Sequence, residues 1–295
     1  MSKNLLDLPV ECIYKILTFI YGINDIKDNR SVLSFSLVNK RLHNIILPIL
    51  WKYPPLGCES VVKKYLNELD ENEQKTLIPL MINLPPTLPR PKCAAHLVNL
   101  DLHDLNVACV RLLVVSSSGR ICECGELTIV RSMVSSIILM LLRTNKNLQK
   151  LSLLISKDEP DFPEVSISSQ PGLSNLRSLH LSLMNMPMQR NFRKFIDEFP
   201  NLCSNLQELS LDFFNNDTDE AITMSLINLI DAQRRLSTLT LCCCTNAQSY
   251  PRDFSRLYRR AAENSENVFT RSNIYEIYNL RNPSLRKEPN PTKIY

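Results

Sequence analysis

The chain has 295 residues, enough for one or two domains with a substantial core, and 44% are hydrophobic against 22% charged. Only five are glycine, and no G-x-G-x-x-G, G-x-x-x-x-G-K-[ST], H-E-x-x-H or G-x-S-x-G motif occurs, which sets aside the enzymes recognised by those signatures. The net charge of +4 equals the excess of nine Lys/Arg over five Asp/Glu within residues 250–295, so the remaining body is neutral and reads against nucleic-acid binding.

The N-terminus carries acidic residues and a proline where a secretory signal needs an apolar run. The charge-poor stretch Ser132–Leu142 is too short to span a bilayer. No membrane association and a cytosolic or nuclear location are expected, where the ten cysteines stay reduced. Cys122-Glu-Cys124 and Cys242–Cys244 lack the paired spacing of a structural zinc site, so the cysteines read as buried small hydrophobes. Neither a metal nor another cofactor is expected.

Residues 1–51 contain three helical patterns. Pro9 and Glu11 suit a first helical turn, and Ile13, Ile16, Leu17 and Ile20 follow as one apolar stripe. Ser31–Val38 forms a short second helix after a polar break over 21–29. A third runs from about Lys40 to Trp51, with Pro48 inside it. Such a short segment is marginal for burying a core alone and should expose an apolar face to a partner.

Leu6-Asp-Leu8-Pro9-Val-Glu11-Cys-Ile13-Tyr-Lys-Ile16-Leu17, Ser36-Leu37-Val38-Asn39-Lys40-Arg41-Leu42 and Leu50-Trp51 together resemble the F-box. That family's module docks on the Skp-type adaptor of a cullin–RING ubiquitin ligase. The resemblance implies adaptor contacts from Leu8, Pro9, Ile13, Ile16, Leu17 and Trp51, some of which, Trp51 above all, serve the module's own core instead.

Residues 52–95 read as a helical, Pro-rich connector. Seven prolines punctuate it, helical periodicity covers Ser60–Leu69 and Glu71–Ile82, and Pro85–Pro91 suits a stiff spacer.

Residues 96–245 repeat. Leu97-x-x-Leu100-x-Leu102 returns as Leu148-x-x-Leu151-x-Leu153, Leu176-x-x-Leu179-x-Leu181, Leu206-x-x-Leu209-x-Leu211 and Leu236-x-x-Leu239-x-Leu241, the last three intervals being 28, 30 and 30 residues. A weaker copy, Cys124-Gly-Glu-Leu127-Thr-Ile129, falls in the gap of 51 between the first two. Helical stretches lie between copies at Val130–Leu142, Arg190–Phe199 and Ala221–Ile230, and Asn147, Asn175 and Asn205 precede three of them. A strand followed by a helix at this interval is similar to the leucine-rich repeat, here in about six units.

The expected fold is α/β: a three-helix module, then a solenoid with short parallel strands on its concave side and helices on its convex side. Alternation sends the residues between the leucines to solvent. The candidate target-binding face is therefore Asp101, His103, Glu126, Lys150, Ser178, His180, Glu208 and Asp212, with Asn99, Thr128, Ser152, Ser210, Thr238 and Thr240 beside them. It has no basic cluster for reading phosphate. Residues 246–295 break the period and read as an irregular, partly disordered basic tail.

The two resemblances together imply a non-catalytic substrate receptor of a ubiquitin ligase, partnered by the adaptor and an unnamed target. Two alternatives stand beside it. One is a leucine-rich scaffold that binds the adaptor without target degradation. The other is an enzyme working through His103 or His180 and neighbouring carboxylates, for which no nucleophile motif is present.

Overall fold

The computed structural model describes residues 8–20, 34, 36–77, 93–116, 123–156, 171–184, 190–213, 220–243 and 268–270. The fold is mixed α/β, with one parallel sheet whose strands follow one another in chain order.

Helix α1, Val10–Ile20, starts directly after Pro9, whose carbonyl accepts from Cys12 and Ile13. Pro9 therefore stands just outside the helix, where its missing N–H costs nothing. Helix α2, Lys40–Leu50, is capped by Asn39, whose Oδ1 accepts from the Leu42 N–H at 2.9 Å. The two helices close a small core of Ile13, Leu17, Leu42, Ile45, Ile46 and Ile49. Arg41 ties them at the surface by donating to the Leu8 carbonyl. Half of the expected second helix, residues 31–33 and 35, lies outside the described residues.

Helices α3, Glu59–Leu66, and α4, Glu71–Leu77, occupy the expected connector. They are not a spacer: Val61, Val62, Tyr65, Leu66, Leu69 and Leu77 are buried in the same cluster as the sheet leucines. The first ends at Leu66, yet Leu69 remains buried beyond it. Asp70 and Glu73 form a reciprocal capping box at the start of α4, each side chain accepting from the other's N–H at 2.9 Å. The prolines at 85–91 lie outside the described residues.

Strand β1 is Asn99–Asp101, and the chain turns at once into α5, Leu102–Ser116. The 22-residue helix α6, Glu123–Thr144, follows. Then come β2 Lys150–Ser156, β3 Ser178–Met184, α7 Arg190–Leu202, β4 Glu208–Phe213, α8 Glu220–Asp231, β5 Thr238–Cys243 and β6 Val268–Thr270. Register is continuous: Leu100, Leu151, Leu179, Leu209 and Leu239 form one row, and Leu153, Leu181, Leu211 and Leu241 the next. These rows face the helices and are buried with Phe192, Phe195, Phe199, Ile222 and Leu226. Each unit leaves half its apolar surface bare unless its neighbour covers it, so the sheet is stable only as a stack.

A backbone ladder enforces the register. Val98 O accepts from Gln149 N and Lys150 N, Gln149 O from Arg177 N and Ser178 N, Arg177 O from Gln207 N and Glu208 N, and Gln207 O from Ser237 N and Thr238 N. Asn147 and Asn175 add to it, donating to the carbonyls of Ala95 and Lys146 at 2.8 Å.

Two expectations are corrected. The weak copy at Cys124–Ile129 is not a strand but the opening of α6, so β1 pairs directly with β2. Its short apolar pattern is outweighed by Val130, Met133, Val134, Ile137, Ile138 and Leu141, whose spacing buries one helical face. The period does not stop at 245 either. Strand β6 pairs in parallel with β5, Thr238 against Val268, which is a further interval of 30 residues. Val268 and Phe269 carry this strand without leucine, so a leucine count misses it. Residues 246–267 and 271–295 of the expected tail lie outside the described residues.

Candidate functional site

The candidate site is the open face of the sheet. Asn99, Lys150, Ser178, Glu208 and Thr238 share one row across it, and Asp101, Ser152, His180, Ser210 and Thr240 share the next. Ser182 and Asp212 sit in the third row between Leu154 and Cys242. Alternation along each strand puts these side chains opposite the buried leucines. Six of the eight expected target-face residues thus converge: Asp101, Lys150, Ser178, His180, Glu208 and Asp212.

Glu126 and His103 do not join them. Glu126 and Thr128 belong to α6, as the same correction of the weak copy requires. His103 lies in the first turn of α5, because Asp101 ends the strand by capping that helix. Its Oδ1 accepts from the His103 and Asp104 N–H groups at 2.9 and 3.2 Å. Asp101 is accordingly a capping carboxylate first and a face residue second.

The sharpest contact on the face joins neighbouring strands. His180 Nε2 lies 2.8 Å from Asp212 Oδ2. The hydrogen bond to Asp212 raises the imidazole above its ordinary range, and the charges of Asp212 and Asp101 add to this against partial desolvation. No serine or cysteine hydrogen-bonded to this imidazole is found among the described contacts. Burial pushes the Cys93 and Cys109 thiols up to about 12 and Cys203 to about 11, which disfavours their thiolates. Cys242 is buried as well, whereas Cys12 and Cys58 are exposed, a correction to the reading of the cysteines as core residues.

The second candidate surface is the helical pair. Ile13 and Leu17 are buried in its own core and Leu8 packs against it, so in this chain they serve that core. Pro9 and Ile16 are exposed. Trp51 is half-buried and packs against the main core, its ring 5.7 Å from that of Tyr65, while Lys52 O accepts from Val98 N at 3.0 Å. Trp51 therefore joins the helical pair to the sheet. Sequence reading did not single out as contacts the residues that are most exposed: Phe19 at 86%, Leu37 at 78% and Val38 at 64%, with Val10 and Tyr14 less so. The available signal was that Phe19 falls on the side of α1 opposite Ile13 and Leu17 at 100° per residue.

Comparison with protein-family models, curated proteins and solved structures returns no match. Among the described residues, no helix is long and apolar enough to cross a membrane, and no group of three His, Cys, Asp or Glu is placed to hold a metal ion.

Proposed function

We propose that this chain is the substrate receptor of a cullin–RING ubiquitin ligase. In this reading the helical pair is an F-box that docks on a Skp-type adaptor, and the stacked units are leucine-rich repeats whose open face holds the target. The observation that carries it is the coexistence of two surfaces on one body. Exposed apolar side chains on and just before the helices (Phe19, Leu37, Val38) stand on a helical pair joined through Trp51 to a repeating parallel sheet with a polar face. Phe19, Leu37 and Val38 are large apolar side chains left to solvent, which suits residues that a partner covers. The chain itself catalyses nothing here. It holds the target near the ubiquitin carrier, which turns transfer into an effectively intramolecular step.

The test is stoichiometric co-purification of the full chain with a Skp-type adaptor. Burying a side chain such as Leu37 contributes about 1.5–3 kcal/mol, so Leu37→Asp with Val38→Asp should weaken capture at least tenfold. Leu8→Ala with Pro9→Ala should weaken it too. Far-UV circular dichroism of both variants should match the parent, and so should the melting transition of the Leu37/Val38 pair, since Leu37 and Val38 are exposed. No capture by a folded parent, or capture unchanged by both pairs, refutes the reading. Co-degradation of a bound partner separates a receptor from a scaffold that docks without turnover.

A further inference from the structure

The open face carries one contact that neither packing nor capping explains. His180 on β3 and Asp212 on β4 reach toward each other across two consecutive units, two residues out of register, to a separation of 2.8 Å. We propose that His180 and Asp212 form a proton-operated clasp that sets the charge of this face and the availability of the Asp212 carboxylate.

The surroundings fix the direction of the effect. Asp101 on β1 lies in the same row as His180, and Ser152 on β2 and Ser210 on β4 are its immediate neighbours. Lys150 and Glu208 carry the charges of the adjacent row, while Leu154, Ser182 and Cys242 complete the row of Asp212. Lys150 is thus the one fixed cation among these face residues, against three carboxylates. With the imidazole protonated, His180 supplies a second cation and occupies Asp212 Oδ2. With the proton gone, the face becomes one unit more negative and the clasp falls back to a neutral hydrogen bond. The Asp212 charge is then no longer neutralised by His180 and attracts an Arg or Lys side chain more strongly.

The sign follows from linkage. The interaction raises the folded-state affinity of His180 for its proton. The stabilisation is therefore fully present below the unfolded-state value of about 6.5 and is lost as pH rises through the higher folded-state value. A target that pairs with Asp212 should bind better on the alkaline side of that window. That last consequence rests on the target-binding reading above; the titration itself does not.

The test is a pH titration of the histidine Cε1–H signals of the full chain by NMR between pH 5.5 and 9, with His180 assigned by loss of its signal in His180→Gln. His180 should titrate above 6.5, and Asp212→Asn should lower its midpoint by at least half a unit. Glu208→Gln, which removes a carboxylate from the same face without touching the contact, should shift it by less than half as much. The melting temperature should drop in Asp212→Asn relative to the parent at pH 6, and the difference should shrink by pH 9. A His180 midpoint at or below 6.5, an equal shift in Asp212→Asn and Glu208→Gln, or a melting difference independent of pH overturns the clasp. Asn is close to isosteric with Asp, so the variant keeps its packing, and circular dichroism at pH 6 and 9 verifies that it folds.

Discussion

Asn145 stands at the point where the repeating sheet is least regular, between the first unit and the second. It directly follows α6, is fully buried, and makes two bonds with its side chain. Its Nδ2 donates to Leu97 O at 2.7 Å, and its Oδ1 accepts from Asn147 N at 2.7 Å. Asn147 in turn donates to Ala95 O, so one asparagine pins the chain on both sides of the 51-residue excursion. Replacing it with Ala orphans a buried carbonyl at Leu97, which costs about 1–3 kcal/mol. It also frees the part-buried Asn147 N–H, worth about 0.5–1.5 kcal/mol more. Asn145→Ala should therefore destabilise by about 1.5–4.5 kcal/mol. Asn175→Ala removes only an exposed donor to Lys146 O and should cost under about 1 kcal/mol. Urea unfolding followed by far-UV circular dichroism measures both, provided the slopes agree with the parent. If Asn145→Ala falls within about 0.5 kcal/mol of the parent, or costs no more than Asn175→Ala, the account of this junction is wrong.

The same junction makes a second demand. A Cβ on Gly172 would lie 2.7 Å from Leu142 O and 2.8 Å from Asn145 O, both backbone atoms that cannot swing aside. Gly172→Ala should therefore cost about 1–3 kcal/mol in urea unfolding, unlike Gly57→Ala, where a Cβ meets nothing. Arg143 bonds Asp70 at 2.6 Å and Glu73 at 3.1 Å, but its side chain is 45% exposed. Solvent screening should hold Arg143→Ala to under about 1 kcal/mol in low salt, and less in 1 M salt. The bond from Glu73 N–H, with Arg143 beside it, holds the Asp70 carboxyl below its ordinary range, so its contribution is lost only as pH falls through that lowered value. A melting-temperature difference between Arg143→Ala and the parent that is full at pH 7 and shrinks only as pH falls below the ordinary carboxylate range would agree with this.

Much of the sheet was legible because its signal is local and repeated. Five L-x-x-L-x-L copies announce their own strands, and alternation tells which residues face solvent without any tertiary information. Lys150, Ser178, His180, Glu208 and Asp212 were placed on the open face on that ground alone. The reading failed where a local pattern competed with a longer one. Leu127-Thr-Ile129 has the form of a strand, but the apolar stripe from Val130 to Leu141 extends the helix back over it. His103 failed for a similar reason, since Asp101 can either continue a strand or cap a helix. Strand β6 escaped because it lacks the leucines that identified the others.

What the sequence determined by itself was therefore the period, the identity of the buried rows, and the existence of a helical pair with more apolar surface than it can bury. Tertiary structure decided which of those apolar residues remain outside. Ile13 and Leu17 on α1 meet α2 and disappear, while Phe19 on the far side of the same helix does not. Trp51, adjacent in sequence to the helical pair, is claimed by Tyr65 and the main core. The pairing of His180 with Asp212 depends likewise on strands 30 residues apart lying side by side in a fixed register. Periodicity is a property of neighbours along the chain, whereas these outcomes depend on neighbours across it, which exist only once the stack has closed.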